Sequence, residues 1–279
     1  MQKFIEKLTN ITKTNNSYVC VGLDTEINFI PECVKKDAQK SSANLIFEFN
    51  RRIIDATADL VCCYKPNSAF YESNGKLGLE ALEQTVAYIS KSTPIILDAK
   101  RGDIGNTSDQ YAVSCFEHLK VDAVTVNPYM GIDAIASFAK YEDKTPIVLV
   151  KTSNKSSDEL QNLELKDGKL VYVRVAELIS EWQVTIKATL GAVVGATFPA
   201  ELKIVREILP QTPILIPGLG AQGGDAKNTI LNGLGPNGDA PIIVNSSRGI
   251  IFASKGDDFD KTARQKCLAF RDQLNSYKN

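Results

Sequence analysis

Eight short, almost continuously apolar segments recur along the chain, and no other feature restricts its fold as strongly. They are rich in Val, Ile and Leu, and longer segments of helical periodicity separate most of them. Continuous apolar runs of this kind are typical of parallel strands that are covered on both faces. The eight runs cover residues 18–24, 60–66, 94–100, 123–129, 146–152, 190–196, 213–218 and 241–247.

Amphipathic segments between these runs predict the helices. They cover 43–57, 76–90, 106–119, 131–139, 172–187 and 199–208, a weaker segment at 225–232, and a last one at 260–275. Eight strand-then-helix units in 279 residues predict an α/β fold, a (β/α)8 TIM barrel that forms one domain over residues 1–279. An open doubly wound sheet is the alternative. Such a sheet usually carries GxGxxG after its first strand, whereas the first run here ends Gly22-Leu23-Asp24.

Composition excludes several classes of function. The chain has 32 Lys and Arg against 33 Asp and Glu, so it lacks the basic excess of a protein that coats nucleic acid. No apolar run approaches ~18 residues, the length that a transmembrane helix requires. The N-terminus is charged and has no apolar leader region. We therefore expect a cytoplasmic protein with neither nucleic acid nor membrane as a partner.

The cysteine and histidine content restricts metal and redox chemistry. The six cysteines form no CxxC-type cluster, and we interpret them as reduced thiols, most of them in the core. Cys62 and Cys63 are adjacent in one apolar run, so strand geometry predicts that they point to opposite faces. His118 is the only histidine, which argues against a multi-histidine metal site and leaves little room for a histidine-based triad.

Polar residues follow the apolar runs at the same point in most units. In a barrel, the carboxyl ends of the strands form one rim, where active sites are built. Three connections at this rim are long: 25–40, 153–171 and 219–240, of which the last is rich in glycine and is either a mobile loop or a surface insertion. The polar residues at the rim are Asp24, Lys65, Asn127, Thr152, Ser153 and Arg248, together with Asp98 and Lys100 in the third unit.

The third unit, PIILDAKRGDIGNT, carries the densest charge. Asp98 and Lys100 are two residues apart, so on a regular strand they share a face, and Asp103 follows in the next loop. Lys65 ends the neighbouring strand. The four side chains are expected to form an alternating array in which opposite charges keep each group ionised. Such an array offers no free general base and no zinc ligands, but it offers a fixed field and an ammonium proton.

Other interpretations of this array stay open from spacing alone. It is equally compatible with a structural ion-pair network that closes the barrel mouth. Arg101 and Asp103 could serve the start of a helix near Asn106, with Asn106 or Thr107 as its N-cap. A lysine on a barrel strand can also form an imine, but this needs a lowered pKa, and carboxylate neighbours raise it.

Two glycine-containing loops predict a phosphate site. They follow the seventh and eighth runs, where barrels often hold phosphate, and read PGLGAQGG at 217–224 and NSSRGI at 245–250. Glycines such as Gly220, Gly223 and Gly249 allow close approach of backbone N–H groups, and Arg248 can make a bidentate charged contact. Ordinary turn chemistry is the alternative.

These motifs together resemble those of the orotidine 5′-phosphate decarboxylase family, in its longer bacterial and protozoan subgroup. The resemblance runs from about Tyr18 to Arg271, and the D-x-K-x-x-D-I element after a lysine-bearing strand is its most specific part. The motifs that carry it are YKPN at 64–67, DAKRGDIGNT at 98–107, KTSN at 151–154, PGLGAQGGD at 217–225 and the arginine of NSSRGI.

The resemblance implies a homodimeric barrel that converts orotidine 5′-monophosphate to UMP and CO2, the last step of de novo UMP synthesis, without metal or cofactor. It implies that Lys65, Asp98, Lys100 and Asp103 are catalytic, and that Asp103, Ile104 and Thr107 project into the partner subunit's site. The substrate-binding roles that it implies are a ribose hydroxyl for Asp24, the pyrimidine for Ser153, base and phosphate for Gln222, and the phosphate for Arg248 with the loop glycines Gly220, Gly223 and Gly249.

Two alternatives to this activity remain. Sister barrel enzymes that act on sugar phosphates share the D-x-K-x-x-D element but use Mg²⁺, and they would want a further acidic ligand near the rim. The presence of Ser153 and Gln222, to which the resemblance assigns contacts with the pyrimidine base, argues against these enzymes. A catalytically silent ligand-binding barrel would be expected to lose one of the four charged residues, and all four are present.

Overall fold

The computed structural model describes residues 2–36, 41–219 and 224–278. All eight predicted strands are present, and each lies in or next to its apolar run. Their bounds are β1 Val19–Gly22, β2 Cys63–Lys65, β3 Ile96–Arg101, β4 Ala123–Val126, β5 Thr145–Lys151, β6 Gly191–Val194, β7 Ile214–Ile216 and β8 Ile242–Ser246.

The strands form one parallel sheet that nearly closes on itself as a barrel. Its order is β2-β1-β8-β7-β6-β5-β4-β3, so every strand pairs with its neighbours along the chain except β2 with β3, and β1 pairs with β8. The remaining gap, between β2 and β3, is spanned by two isolated bridges, Tyr64 to Ile95 and Asn67 to Asp98. The predicted (β/α)8 fold class is therefore confirmed.

Helices separate the strands and cover the outside of the sheet. Every predicted helix is present, and the one at 106–119 is an α-helix to Val113 that continues as a π-helical turn over Ser114–His118. The bounds are α1 Phe4–Asn15, α2 Glu32–Lys36, α3 Ser42–Thr57, α4 Ser68–Glu72, α5 Gly75–Tyr88, α6 Gly105–Val113, α7 Asp133–Ala139, α8 Asp158–Gln161, α9 Val171–Gln183, α10 Pro199–Ile208, α11 Ala226–Leu234, α12 Arg248–Ile251 and α13 Phe259–Asn275.

Two of the three long connections contain short helical segments that were not predicted. Residues 25–40 hold a short 3₁₀ turn and α2, and 153–171 hold a second 3₁₀ turn and α8. The connection 219–240 contains α11, which matches the weak helix predicted at 225–232, so the polypeptide between β7 and this helix is far shorter than that range. None of the described helices is long and apolar enough to cross a membrane.

Alternation along each strand divides the apolar side chains between two packed layers. In β4, Val124 and Val126 pack outward against the helices, whereas Ala123 points into the barrel. Both layers are buried, which explains why the runs are continuously apolar and do not alternate. The barrel interior is filled by one side chain from most strands, including Cys20, Ile96, Ile147, Val193, Leu215 and Ile243.

Helix α1 closes the amino-terminal end of the barrel, a role that sequence analysis missed. Phe4 and Leu8 are fully buried among the interior side chains. Lys7 extends beside them and its Nζ lies 2.6 Å from Asp122 Oδ1 at the start of β4. The helix therefore covers one end of the barrel interior.

The prediction that Cys62 and Cys63 point to opposite faces is wrong. Cys62 lies just before β2, outside the regular strand, and both side chains belong to the interior layer with their sulfurs 4.0 Å apart. All six cysteines are free, as expected.

Arg206 of α10 is a fully buried cation whose hydrogen-bond partners, within the part of the chain that the structure describes, are all backbone oxygens. Its guanidinium donates to the carbonyls of Gly233 (2.7 Å), Leu209 (2.7 Å), Thr212 (2.8 Å) and Pro241 (3.0 Å). Burial lowers its pKa to about 10, so the group stays charged at neutral pH. Arg206 thereby joins the ends of α10 and α11 to the strands that follow them, below the predicted phosphate loops.

We expect Arg206→Met to destabilise the fold strongly. The substitution leaves buried carbonyls without a charged donor, and each such hydrogen bond contributes about 1.5–3 kcal/mol. Thermal unfolding should show a loss of about 3 kcal/mol or more, roughly 10 °C in Tm for a chain of this size. Arg174→Met is the control, because its ion pairs with Glu177 and Glu181 lie at the surface and should matter little. Equal Tm values for the two variants would contradict this role for Arg206.

Candidate active site

A cavity of about 330 Å³ lies at the carboxyl end of the strands. Its floor is apolar and is formed by Leu149, Val193 and Leu215, which continue the interior layer of the barrel. Its walls are polar and charged. Asp24, Lys65, Asp98, Lys100, Thr152, Ser153, Arg248 and Gly249, all predicted to lie at the rim, line it. The site therefore combines an apolar floor with walls that carry charges of both signs.

Three of the four predicted array residues meet at one point of this wall. Lys65 Nζ lies 3.0 Å from Asp98 Oδ2, and Lys100 Nζ lies 2.7 Å from Asp98 Oδ1. Lys65 and Asp98 are largely buried, with side chains 4% and 12% exposed, whereas Lys100 is 50% exposed toward the cavity. Asn67 Nδ2 adds a longer contact of 3.4 Å to Asp98. This ion group lies where β2 and β3 close the barrel.

Attraction between opposite charges keeps the buried Lys65 and Asp98 side chains ionised. Burial by itself would lower the pKa of Lys65, but the charges of Asp98 and Asp24 outweigh it and hold that pKa well above its ordinary value. Burial would likewise raise the pKa of Asp98, yet Lys65 and Lys100 keep it far below its usual range. Asp98 is therefore an ionised acceptor at neutral pH, and neither group serves as a general base.

The strand that carries Asp98 and Lys100 is not regular. The β3–β4 register jumps from Leu97 opposite Val124 to Arg101 opposite Val126, so three residues face one. Lys100 occupies this bulge with φ of 46°, a left-handed conformation that is uncommon for a residue with a side chain. The two side chains do meet, as predicted, but through a bulge and not through simple alternation.

Asp103 lies apart from the other three charges within this chain. It is half-buried, and its Oδ1 accepts from the N–H of Ile104 at 2.8 Å. Asp103, Ile104 and Thr107 are not among the described residues that line the cavity. Helix α6 begins at Gly105 and its N-cap is Ile104 without a side-chain cap, so the alternative in which Asn106 or Thr107 caps it is wrong. Arg101 pairs with Glu72 at 2.6 Å.

Asp24 and Ser153 both line the cavity. Asp24 Oδ1 is buried without a hydrogen-bond partner among the described residues. Ser153 sits against the end of β6, where a Cβ on Gly195 would lie only 2.8 Å from Ser153 Cα. A glycine is needed at 195 for this close approach, which holds Ser153 at the cavity wall.

A buried lysine that sequence analysis missed fastens the segment around Ser153. Lys151 is fully buried at the end of β5, and its Nζ donates to Asp158 (2.5 Å), Asn162 (2.9 Å) and Ser157 (3.3 Å). It also lies 4.3 Å from the ring centre of Phe198. In the sequence, Lys151 appears only as the first letter of KTSN. Its binding partners come later in the same connection, so it ties residues 155–162 back to the strand.

The described residues of both predicted phosphate loops include several that line the cavity. Arg248 and Gly249 begin α12 and line the cavity beside Gly218, whose φ is 98°. No described residue forms an ion pair or hydrogen bond with the Arg248 guanidinium. Gly220, Gln222 and Gly223 lie outside the described residues.

Two further residues from the sequence analysis have local roles. Asn127 Oδ1 accepts from the N–H of Tyr129 and begins a 3₁₀ turn, and it does not line the cavity. His118 lies on the surface, 2.9 Å from Glu83. Within residues 2–36, 41–219 and 224–278, no three His, Cys, Asp or Glu side chains gather in a way that could hold a metal ion.

Known proteins share both the sequence and the fold. The family described as "Orotidine 5'-phosphate decarboxylase / HUMPS family" matches residues 17–258. Orotidine 5′-phosphate decarboxylases of Dechloromonas aromatica and Herpetosiphon aurantiacus are 46% and 42% identical, over 99% and 96% of this chain and equal shares of their own. The Leishmania donovani OMP decarboxylase structure is 36% identical, with a TM-score of 0.81 over 97% of this chain and 99% of that one.

A Toxoplasma gondii crystal structure is also similar, with 37% identity and a TM-score of 0.89 over 99% of this chain and 97% of that chain. These full-length relatives confirm the predicted resemblance and the predicted carboxy-lyase activity in pyrimidine biosynthesis, and they do not favour the sugar-phosphate alternative. The chain belongs to the orotidine 5′-phosphate decarboxylase family.

Proposed function

We propose that the Lys65–Asp98–Lys100 ion group performs the decarboxylation of orotidine 5′-monophosphate. The bond between C6 and the carboxylate carbon breaks, CO2 leaves, and the electron pair stays on C6 of the pyrimidine. The Lys100 ammonium then gives one proton to C6, which yields UMP and a neutral amine that regains its proton from water. The observation that carries this proposal is the half-exposed Lys100 ammonium held at the cavity wall by a buried, ionised Asp98.

In this proposal the positive charge of Lys100 lies close to C6, where negative charge develops in the transition state. The carbanion at C6 has no adjacent carbonyl to accept its electrons, so its stabilisation must come from the protein. An ammonium already fixed by Asp98 needs no reorganisation when the negative charge forms. Only interactions that are stronger in the transition state than in the ground state speed the step, and the attraction between Lys100 and C6 is of this kind.

Asp98 and Lys65 hold the Lys100 ammonium in position. Asp98 orients Lys100 and would lie near the departing carboxylate, which it repels in the ground state. Lys65 balances the second oxygen of Asp98, so the carboxylate remains ionised despite its burial. We rank carbanion stabilisation above repulsion as the source of the rate.

The remaining cavity residues hold the rest of the nucleotide in this proposal. Asp24, with its unpaired buried oxygen, binds a ribose hydroxyl together with Lys65. Ser153 binds the pyrimidine edge, and Arg248 clamps the phosphate with backbone N–H groups near Gly249. Gln222 bridges base and phosphate, with Gly220 and Gly223 in the same loop. The distant phosphate then supplies binding energy that orders residues around the reacting base.

We further propose that two chains share each site. Asp103, Ile104 and Thr107 stand beside the rim yet outside the cavity of their own chain. Exposed apolar side chains lie at both ends of α6 and in the segment between β4 and α7, a helix that contacts α6, and such a group is unusual for a surface that faces only water. They are Ile104 (51% exposed), Tyr129 (80%), Met130 (48%), Ile132 (39%) and Val113 (37%). A two-fold contact through this surface would carry Asp103 to the partner's ion group and complete the alternating array.

The proposed enzyme needs no cofactor or metal, because each step uses side chains of the protein. Its six free cysteines suit a reducing compartment, and we place the enzyme in the cytoplasm.

One assay tests this activity against its alternatives. Purified protein is incubated with orotidine 5′-monophosphate in the presence of EDTA, and the loss of substrate absorbance is followed while UMP is identified in the product. We expect complete conversion with EDTA present. Turnover of a 3-keto sugar phosphate that requires added Mg²⁺ would identify the sister activity, and binding of UMP without any turnover would identify a silent barrel.

We expect Arg248→Ala to weaken the use of the phosphate specifically. Removing a charged contact of about 2 kcal/mol should lower kcat/KM for the nucleotide by roughly 30-fold or more. Orotidine, which lacks the phosphate, is the matched control substrate, and its kcat/KM should stay within about twofold of the wild-type value. Equal losses for both substrates would mean that Arg248 supports the structure and does not bind phosphate.

A further inference from the structure

The bulge in β3 faces a single residue of β4, Thr125. Its neighbours Val124 and Val126 point outward, so Thr125 points into the barrel, where it is 1% exposed and lines the cavity. Because the register jumps across it, Thr125 is the one β4 residue opposite the segment from Asp98 to Lys100. It belongs to the top layer of the barrel interior, directly below the reacting groups.

The Thr125 hydroxyl connects both functional residues of the bulge. It donates to Asp98 Oδ1 at 2.9 Å and accepts from the backbone N–H of Lys100 at 2.9 Å. The hydroxyl proton is committed to Asp98, so Thr125 has no proton left for a substrate. The same Asp98 oxygen accepts a hydrogen bond from the Lys100 ammonium at 2.7 Å. The hydroxyl, the carboxylate and Lys100 therefore form a closed ring of contacts.

Lys100 needs such support because its backbone is strained. A residue with a Cβ rarely adopts a φ of 46°, and it keeps this conformation only where the surroundings enforce it. In a bulge, the N–H loses its ladder partner on the neighbouring strand. Thr125 replaces that partner with a side-chain oxygen. The strained backbone in turn aims the Lys100 side chain into the cavity.

We propose that Thr125 is a positioning residue for the decarboxylation: its hydroxyl holds the Lys100 backbone in the left-handed bulge and orients the Asp98 carboxylate that fixes the Lys100 ammonium. This inference rests on the proposed function of Lys100. Thr125 itself touches neither the substrate nor the reacting atoms in this account.

The test compares variants that differ only in the hydroxyl. In Thr125→Val the shape is kept and the hydroxyl is lost, and we expect kcat to fall by about 10- to 100-fold, the scale of a small misplacement of a reacting group. KM and the affinity for UMP should stay close to the wild-type values, because the binding residues are untouched. Thr125→Ser should recover most of the lost kcat.

Thr145→Val is the matched control. Thr145 begins the neighbouring strand β5, is fully buried, and its hydroxyl has no partner among the described residues. The same chemical change there should leave kcat unchanged. If Thr125→Val does not fold, Thr125→Ser and Thr125→Ala decide the question, because both lack the methyl group and differ only in the hydroxyl.

Three results would overturn the proposal: a Thr125→Val kcat within about threefold of wild type, a serine variant as slow as the alanine variant, or a loss confined to KM and UMP affinity. Wild-type turnover of orotidine 5′-monophosphate is measured in the same series. Its absence would refute the proposed function, whereas its presence with unaffected Thr125 variants would refute only the positioning role.

Discussion

Lys100→Ala should abolish measurable turnover while the fold stays intact. A single preorganised donor contributes about 2.7–4 kcal/mol to a transition state, and proton donation adds a further 10²–10⁴-fold, so we expect a loss of at least about 10⁴-fold in kcat. The side chain is half-exposed, so its removal leaves no cavity in the core. Steady-state assays with orotidine 5′-monophosphate provide the measurement.

Two controls separate chemistry from stability in that experiment. The Tm of Lys100→Ala should remain near the wild-type value, since Lys65 still pairs with Asp98. Lys91→Ala, which removes an exposed lysine between α5 and β3, should keep full activity. If the turnover of Lys100→Ala stayed within about tenfold of wild type, this would contradict the assignment of Lys100 as the stabilising cation and proton donor.

Mixing two inactive variants should restore activity if each site is shared between chains. Lys100→Ala and Asp103→Ala are combined under conditions that allow subunits to exchange. A mixed dimer then holds one site with both defects and one site with neither. At equal mixing, about half of the dimers are mixed, so roughly one quarter of all sites should become active by the symmetry of a two-fold interface.

The alternative is that Asp103 acts within its own chain, in which case every site carries a defect however the chains pair. Subunit exchange is confirmed independently by the mass of mixed dimers with one tagged chain. Exchange without any recovery of activity would rule out the shared site and leave Asp103 as a residue that only supports the start of α6.

The barrel was predictable from sequence because its physical cause is visible there. Strands covered on both faces must be apolar throughout, and eight such runs leave few alternatives. Helix α1 was not predicted because its buried apolar residues, Phe4 and Leu8, are few and lie in a charged segment. Nothing in the neighbouring sequence indicates that they fill one end of the barrel. Cys62 and Cys63 were wrongly predicted to point to opposite faces because the run 60–66 begins before the regular strand does.

The charged residues of the site were predictable, but the contacts that hold them were not. Strand ends that carry Lys65, Asp98 and Lys100 meet at one rim in any barrel. The bulge depends on a register between β3 and β4 that no single strand reveals. Thr125 looks like an ordinary member of an apolar run, and Lys151 looks like one more polar residue at a strand end. Only the folded structure shows what each of them binds.

The most direct test of the proposed chemistry follows the C6 proton of UMP. The protonation of C6 by Lys100 must also run in reverse, so wild-type protein in mildly alkaline D2O should exchange the C6 hydrogen of UMP for deuterium, as seen by the loss of its proton NMR signal. Lys100→Ala should bind UMP but show no exchange above the rate in buffer. Exchange by Lys100→Ala at the wild-type rate would contradict the account, because another group would then be the one that transfers the proton.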